Sequence, residues 1–144
     1  TALMPMVDYL FGNETEALEF AKSEGWTETD VAAIAAKISN LPTEKKSPRT
    51  VVITQGAEPT IIARSGEVKT YAINVLEKEQ IVDTNGAGDA FVGGFLAKLV
   101  ELGSGNDEAC AKSGADAACV IVQRAGCTFP MDWVSADGVD VKMN

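Results

Sequence analysis

A chain of 144 residues is long enough for one domain, and at that size about two-thirds of the unfolded surface becomes buried. Hydrophobic residues make up 46% and charged residues 23%, the balance of an ordinary globular protein. With 12 basic and 21 acidic residues the formal charge is −9, which argues against nucleic acid or an anionic membrane surface as a partner, since both call for a basic patch.

No apolar run approaches the length of a membrane span, and the first residues carry no charged segment followed by an apolar core. The expected location is the cytoplasm, with the nucleus as a further possibility. The cysteines (Cys110, Cys119 and Cys127) are odd in number, and two fall in an apparent helix, so reduced thiols are expected rather than a disulfide framework. The chain has no histidine and no zinc-like spacing.

Val7-Asp8-Tyr9-Leu10-Phe11 reads as a buried strand broken by Gly12-Asn13. Asn13 is a good N-cap, and Glu16 three residues later completes a capping-box pattern ahead of Ala17, Leu18, Phe20 and Ala21. A second helix is expected from a cap at Thr27 through Val31, Ile34, Ala35 and Ile38, ending near Asn40-Leu41-Pro42. Residues 43–49 are polar and basic with a proline, and read as a loop. Thr50-Val51-Val52-Ile53-Thr54 is a β-branched run typical of a strand buried on both faces. Two shorter strands follow, residues 60–64 and 67–73, joined by the hairpin signal Ser65-Gly66. Gln80-Ile81-Val82 is a strand-like run leading into a helix that extends to about Leu102. Gly103-Ser104-Gly105 ends that helix, Asn106 is positioned to cap a last one reaching about Arg124, and the remainder is an aperiodic tail. This order is that of an α/β fold with an open sheet and helices outside.

The segment from Asp83 to Leu96, Asp83-Thr84-Asn85-Gly86-Ala87-Gly88-Asp89-Ala90-Phe91-Val92-Gly93-Gly94-Phe95-Leu96, is the most informative. A glycine-rich turn at a helix start gathers free N–H groups in the positive potential of the macrodipole, and so suits an anion. An aspartate there repels a phosphate unless its task is to take a proton, which points to phosphoryl transfer to a hydroxyl. A dinucleotide fingerprint would place a small residue where Phe91 stands, and a Walker A loop would need a lysine and a hydroxyl that do not follow. Gly93 and Gly94, each costing about 1 kcal/mol relative to alanine inside a helix, are expected to serve close helix packing.

The string from Asp83 to Phe91 matches the second signature of the ribokinase-like (PfkB) family of sugar and nucleoside kinases. Asn13-Glu14-Thr15-Glu16 resembles the family's N-x-x-E motif, and Thr54-Gln55-Gly56 its T-x-G strand end. Residues 10–17, the extended glycine run and Gly126-Cys127-Thr128-Phe129-Pro130 look most like the adenosine-phosphorylating members. The resemblance covers the chain from about Met4 to Pro130.

What the resemblance implies is an α/β, ribokinase-like open sheet flanked by helices, of which this chain supplies the C-terminal portion only, with the lid domain absent. Residues 1–130 would be the ATP-binding and catalytic-base part of the kinase domain, and residues 131–144 a C-terminal tail. The reaction would move the γ-phosphoryl group of ATP to the 5′-hydroxyl of adenosine, giving AMP in purine salvage. Asp89 would be the general base, and Gly86, Ala87 and Gly88 the anion hole. By composition alone Asp89 is also an ordinary first-turn carboxylate, worth about 0.3–1 kcal/mol. Asn13 and Glu16 would lie near the triphosphate, Glu16 reaching Mg²⁺ through water; capping alone also explains both, and the two roles are compatible. Thr54, Gln55 and Gly56 would line the phosphates or ribose, with Asn85 beside them. Adenine would lie between residues 75–80 and the last helix near Gly114, Ala118 and Val122, positions that equally suit plain core. Backbone carbonyls near Asp83, Asn85, Arg124 and Cys127 are candidates for a monovalent cation. The partners are then small molecules, ATP and adenosine, and the full-length form is expected to be a monomer. The 144 residues alone are expected to be inactive. The alternatives are another nucleoside or a sugar as acceptor, or a non-catalytic nucleotide-binding fragment.

Overall fold

A computed structural model describes residues 3–128. The expected tail at 131–144, and Phe129 and Pro130 of the motif at 126–130, lie outside the described residues. The chain divides into two compact units, with the boundary between Ala72 and Ile73.

The first unit opens with a short 3-10 turn at Met4–Met6 and strand β1 (Tyr9–Asn13), followed by helices α1 (Glu14–Ser23) and α2 (Val31–Ser39) and strands β2 (Thr50–Gln55), β3 (Glu58–Arg64) and β4 (Glu67–Tyr71). The strands form one sheet in the order β1-β2-β3-β4. β1 and β2 are parallel, as a crossover through two helices requires, and the remaining pairs are antiparallel. Ser65 and Gly66 both take positive φ (52° and 79°), the geometry a two-residue hairpin demands.

The core of this unit is one sheet face covered by both helices. Ala17, Ala21, Ile34, Ala35 and Ile38 pack against Val51, Ile53, Ile61 and Ala63. Val52, on the opposite face of β2, is also fully buried, so the β-branched run is enclosed on both sides as its composition implies. Several boundaries depart from expectation: β3 begins at Glu58 and β4 ends at Tyr71. β1 runs on through Gly12-Asn13, and α2 starts at Val31 rather than near Thr27. Asp30 is its cap, accepting from the Ala33 amide at 2.9 Å; a carboxylate reaching the third amide of the helix ends the competition with Thr27.

Arg49, read from sequence as part of a polar loop, is fully buried. Its guanidinium donates to the carbonyls of Ile38 (3.0 Å), Leu41 (3.1 Å) and Pro42 (3.1 Å) and to that of Met4. The Ile38 carbonyl lies in the last turn of α2, where it also accepts the Leu41 amide at 3.1 Å and where a cation is favoured by the macrodipole. A single side chain thereby ties the helix end, the following loop and the N-terminal turn.

The second unit contains a 3-10 turn at Lys78–Gln80 and helices α3 (Ala87–Leu102) and α4 (Asp107–Val122). The strand expected at Gln80-Ile81-Val82 does not form. Gln80 closes the 3-10 turn, and the amides of Val82 and Asp83 both donate to the Val122 carbonyl, at 2.7 and 3.1 Å. The end of α4 has taken the donors that a sheet would have used, which a local apolar run cannot reveal.

α3 and α4 pack closely. A Cβ on Gly94 would stand 2.5 Å from the Ser113 carbonyl oxygen, and one on Gly114 would stand 2.8 Å from that of Phe91. Gly93 is different: nothing lies within 4 Å of its Cβ position, so close packing is the role of Gly94 alone. Asn106 does not cap α4 with its side chain but donates to the carbonyls of Leu102 (3.0 Å) and Gly103 (3.3 Å), closing α3. Among the described residues no helix is long and apolar enough to cross a membrane.

Candidate functional site

In the first unit, the parallel register pairs Asn13 with Thr54, so the C-terminal ends of β1 and β2 share one sheet edge. Open α/β sheets place ligands at such edges, where strands end and helices begin. The sequence-designated Asn13, Glu16, Thr54, Gln55 and Gly56 all belong to this edge or to the turns leaving it.

Their side chains are largely committed to those turns. Asn13 Oδ1 accepts from the Glu16 amide and Glu16 Oε2 from the Asn13 amide, each at 2.9 Å, a complete capping box. Gln55 Nε2 donates to the Pro59 carbonyl at 2.8 Å, bridging the bulged turn between β2 and β3 in which Gly56 takes φ 60°. Thr54 Oγ1 lies 3.5 Å from the Gly12 carbonyl, at the limit of a hydrogen bond.

In the second unit, Gly86 is the N-cap of α3 in the left-handed region, φ 78°. A Cβ there would also collide with the Cys127 sulfur, so glycine is required twice over. Ala87, Gly88 and Asp89 follow as the first three helical residues. The Ala87 amide donates to the Thr84 carbonyl at 3.3 Å. The amides of Gly86, Gly88 and Asp89 find no acceptor among the described residues, as the opening of a helix leaves them. Asp89 is exposed, and its carboxylate makes no hydrogen bond or ion pair with a described residue. Of the three amides designated from the sequence, those of Gly86 and Gly88 are without an acceptor among the described residues, while that of Ala87 is engaged by Thr84; the Asp89 amide is also without one.

The turn is anchored by a side chain whose role the sequence reading missed. Asp83 accepts from the Asn85 amide at 2.9 Å and from the Gly126 amide at 3.2 Å. These two amides, Asn85 first, hold the Asp83 carboxyl below the usual carboxylate range. An Asp two residues ahead of a turn amide is a sequence signal for an Asx-turn; the bond to Gly126 has no such signal.

Gly114 is buried against Phe91, within the α3–α4 contact. Ala118 and Val122 are half-buried. The three cysteines are free; burial is the main cause that pushes the Cys110 and Cys119 thiols up, and Cys119 sulfur lies 3.6 Å from the Asn74 carbonyl. No group of three or more His, Cys, Asp or Glu side chains suited to a metal occurs among the described residues.

Residues 1–134 match the family model described as pfkB family carbohydrate kinase. Adenosine kinase 1 of Arabidopsis thaliana is 53% identical over 128 residues, spanning 88% of this chain and 37% of the relative. The crystal structure of Anopheles gambiae adenosine kinase, in complex with P1,P4-di(adenosine-5) tetraphosphate, superposes with a TM-score of 0.79 at 46% identity, over 88% of this chain and 38% of that one. Adenosine kinase from Schistosoma mansoni, in complex with adenosine and AMP, gives 0.77 at 32% identity, over 89% and 37%. The chain thus spans less than two-fifths of the length of these proteins. Its mixed sheet with flanking helices is part of the ribokinase-like α/β fold.

Proposed function

The chain belongs to the pfkB carbohydrate kinase family, and from that premise we propose that it is a portion of an adenosine kinase, moving the γ-phosphoryl group of ATP to the 5′-hydroxyl of adenosine to give ADP and AMP. The observation that carries the reading is the start of α3, where amides of Gly86, Gly88 and Asp89, without an acceptor among the described residues, adjoin an exposed Asp89 carboxylate that bonds none of the described residues. Likeness to adenosine kinases supports adenosine as the acceptor.

Phosphoryl transfer asks a protein for positioning and charge stabilisation. The Asp89 carboxylate takes the proton of the attacking hydroxyl, a contribution of about 10²–10⁴ in rate, or roughly 3–5 kcal/mol of barrier. The three free amides and the macrodipole of α3 stabilise the charge on the transferred group, without a Cβ at Gly86 or Gly88 to obstruct it. Asn85 stands at the entrance of this turn. At the sheet edge of the first unit, Asn13 and the Thr54–Gly56 turn are assigned to the nucleotide. Glu16 has one carboxylate oxygen engaged by the Asn13 amide, and its Oε1 suits a water of Mg²⁺, an ion that keeps several waters and takes few carboxylates directly. When bound, Mg²⁺ neutralises charge on the ATP phosphates. Ala118 and Val122 remain assigned to the adenine of ATP; Gly114 serves the helix contact. The whole protein is assigned to the cytoplasm as a monomer.

The test compares ATP-dependent phosphorylation of adenosine, other nucleosides and ribose by the whole protein and by Asp89→Asn. Adenosine is expected to have the highest kcat/KM, and Asp89→Asn to lower kcat by about 10²–10⁴. A better acceptor than adenosine removes that assignment, and near-normal turnover in Asp89→Asn removes the base. The 144 residues alone are expected to form no AMP.

A further inference from the structure

The turn that presents the free amides is joined to its own helix by the Ala90 amide donating to the Gly86 carbonyl at 2.9 Å, and is fastened further from behind. Asp83 carries the fastening: one carboxylate oxygen receives the Asn85 amide, and the other receives the Gly126 amide from a segment 43 residues away. Around it, the Val82 and Asp83 amides donate to the Val122 carbonyl, and the Cys127 thiol donates to the Asn85 carbonyl at 3.6 Å. The chain entering α3 is thereby sewn to the chain leaving α4. The two helices pack through Phe91, Gly94 and Gly114, without any part from Asp83. Losing the carboxylate would leave that packing in place and slacken the turn.

We propose that Asp83 is a positioning residue for phosphoryl transfer, fixing the Gly86–Asp89 turn by clamping Asn85 and Gly126 with its two carboxylate oxygens. The assignment rests on the kinase reading above. Asp83 touches neither the phosphoryl group nor the acceptor; it acts by holding the amides and the Asp89 carboxylate in one register. A displacement of about 1 Å in such a constellation can cost about 10²-fold in rate. The depressed carboxyl of Asp83 agrees with both amides donating to the ionised form.

Two measurements on Asp83→Ala and Asp83→Asn test this. Amide hydrogen exchange is read first. In Asp83→Ala, Asn85 and Gly126 should both lose protection while amides within α3 and α4 keep theirs. In Asp83→Asn, the retained oxygen can hold only one of the two amides, because its NH₂ group faces the other donor. In the whole protein, kcat for adenosine should fall roughly ten- to hundredfold in Asp83→Ala and less in Asp83→Asn, with KM for adenosine changed less than twofold. Unchanged exchange at Gly126, or unchanged kcat, overturns the proposal. Recovery of the Asp83→Ala rate by raised potassium would assign the residue to cation binding and overturn it as well. The isosteric Asp83→Asn decides the matter if Asp83→Ala does not fold. Should Asp89→Asn prove fully active, the kinase reading fails, while the exchange result still reports on the clamp.

Discussion

At the end of β1, Asn13 and Glu16 turn their side chains back onto each other's amides, whereas at the start of α3 Gly86 has no side chain to offer and the Asp89 carboxylate engages none of the described residues. Both places are helix N-termini with amides to satisfy. The first satisfies two of them with its own side chains, and its helix is stabilised accordingly. The second leaves amides of α3 open and places the polar side chains that do form bonds, chiefly Asp83, behind the turn. A helix start that is capped is stable as it stands; one that is clamped from behind and left open in front is stable only if something else meets its donors. That contrast is what supports the proposal of the second unit's turn as the reacting site.

The contrast can be broken in steps. The largest effect expected on stability is at Arg49, where Arg49→Leu takes the guanidinium donor from the part-buried Leu41 and Pro42 carbonyls and from the Ile38 carbonyl, which keeps the Leu41 amide; at about 1–3 kcal/mol for an orphaned polar group, partly relieved by relaxation, the loss should reach roughly 2–4 kcal/mol in denaturant unfolding. A loss under about 1 kcal/mol would mean that water reaches those carbonyls. Asn13→Ala should cost about 1 kcal/mol, because it removes the acceptor for the Glu16 amide. Asp89→Asn at the open turn should change stability by at most about 1 kcal/mol, the worth of a carboxylate at a helix N-terminus, while its effect falls on rate. If Asp89→Asn proves as costly to stability as Arg49→Leu, the open turn is not open. The smallest effect is expected at Gly93, where alanine meets no neighbour and should stabilise by about 0.5–1 kcal/mol. Gly94→Ala should instead destabilise, by about 1–3 kcal/mol, since the Ser113 carbonyl must give way. Equal thermal shifts for the two variants would contradict the α3–α4 contact.

Much of the fold was legible because local rules agree with it. The capping box at Asn13 and Glu16, the enclosed β-branched strand at Thr50–Gln55, the hairpin at Ser65-Gly66 and the glycine stop at Gly103 each rest on a few consecutive residues. Where the reading failed, a distant partner had intervened. Val82 gave its amide to Val122, and Asn106 turned back to close α3. Of the candidate site, the motif positions were legible, and the division of labour within them was not. Which amide of the glycine turn stays free depends on whether the Thr84 carbonyl reaches Ala87.

By itself the sequence suggested the kind of chemistry proposed: small residues at a helix start followed by an aspartate favour an anion beside a base, because backbone donors need room and a carboxylate near a phosphate needs a proton to take. It also determined the strands and helices whose signals are local. Only the tertiary structure separated residues that the sequence presents as equals. Gly93 and Gly94 are neighbours of identical chemistry, yet one faces open space and the other the backbone of α4. Arg49 sits among exposed lysines in sequence and among carbonyls in space. Asp83 and Gly126 meet across 43 residues. Such assignments depend on which groups are brought within a few ångströms of one another, and hydrogen bonds and packing contacts are felt only at that range.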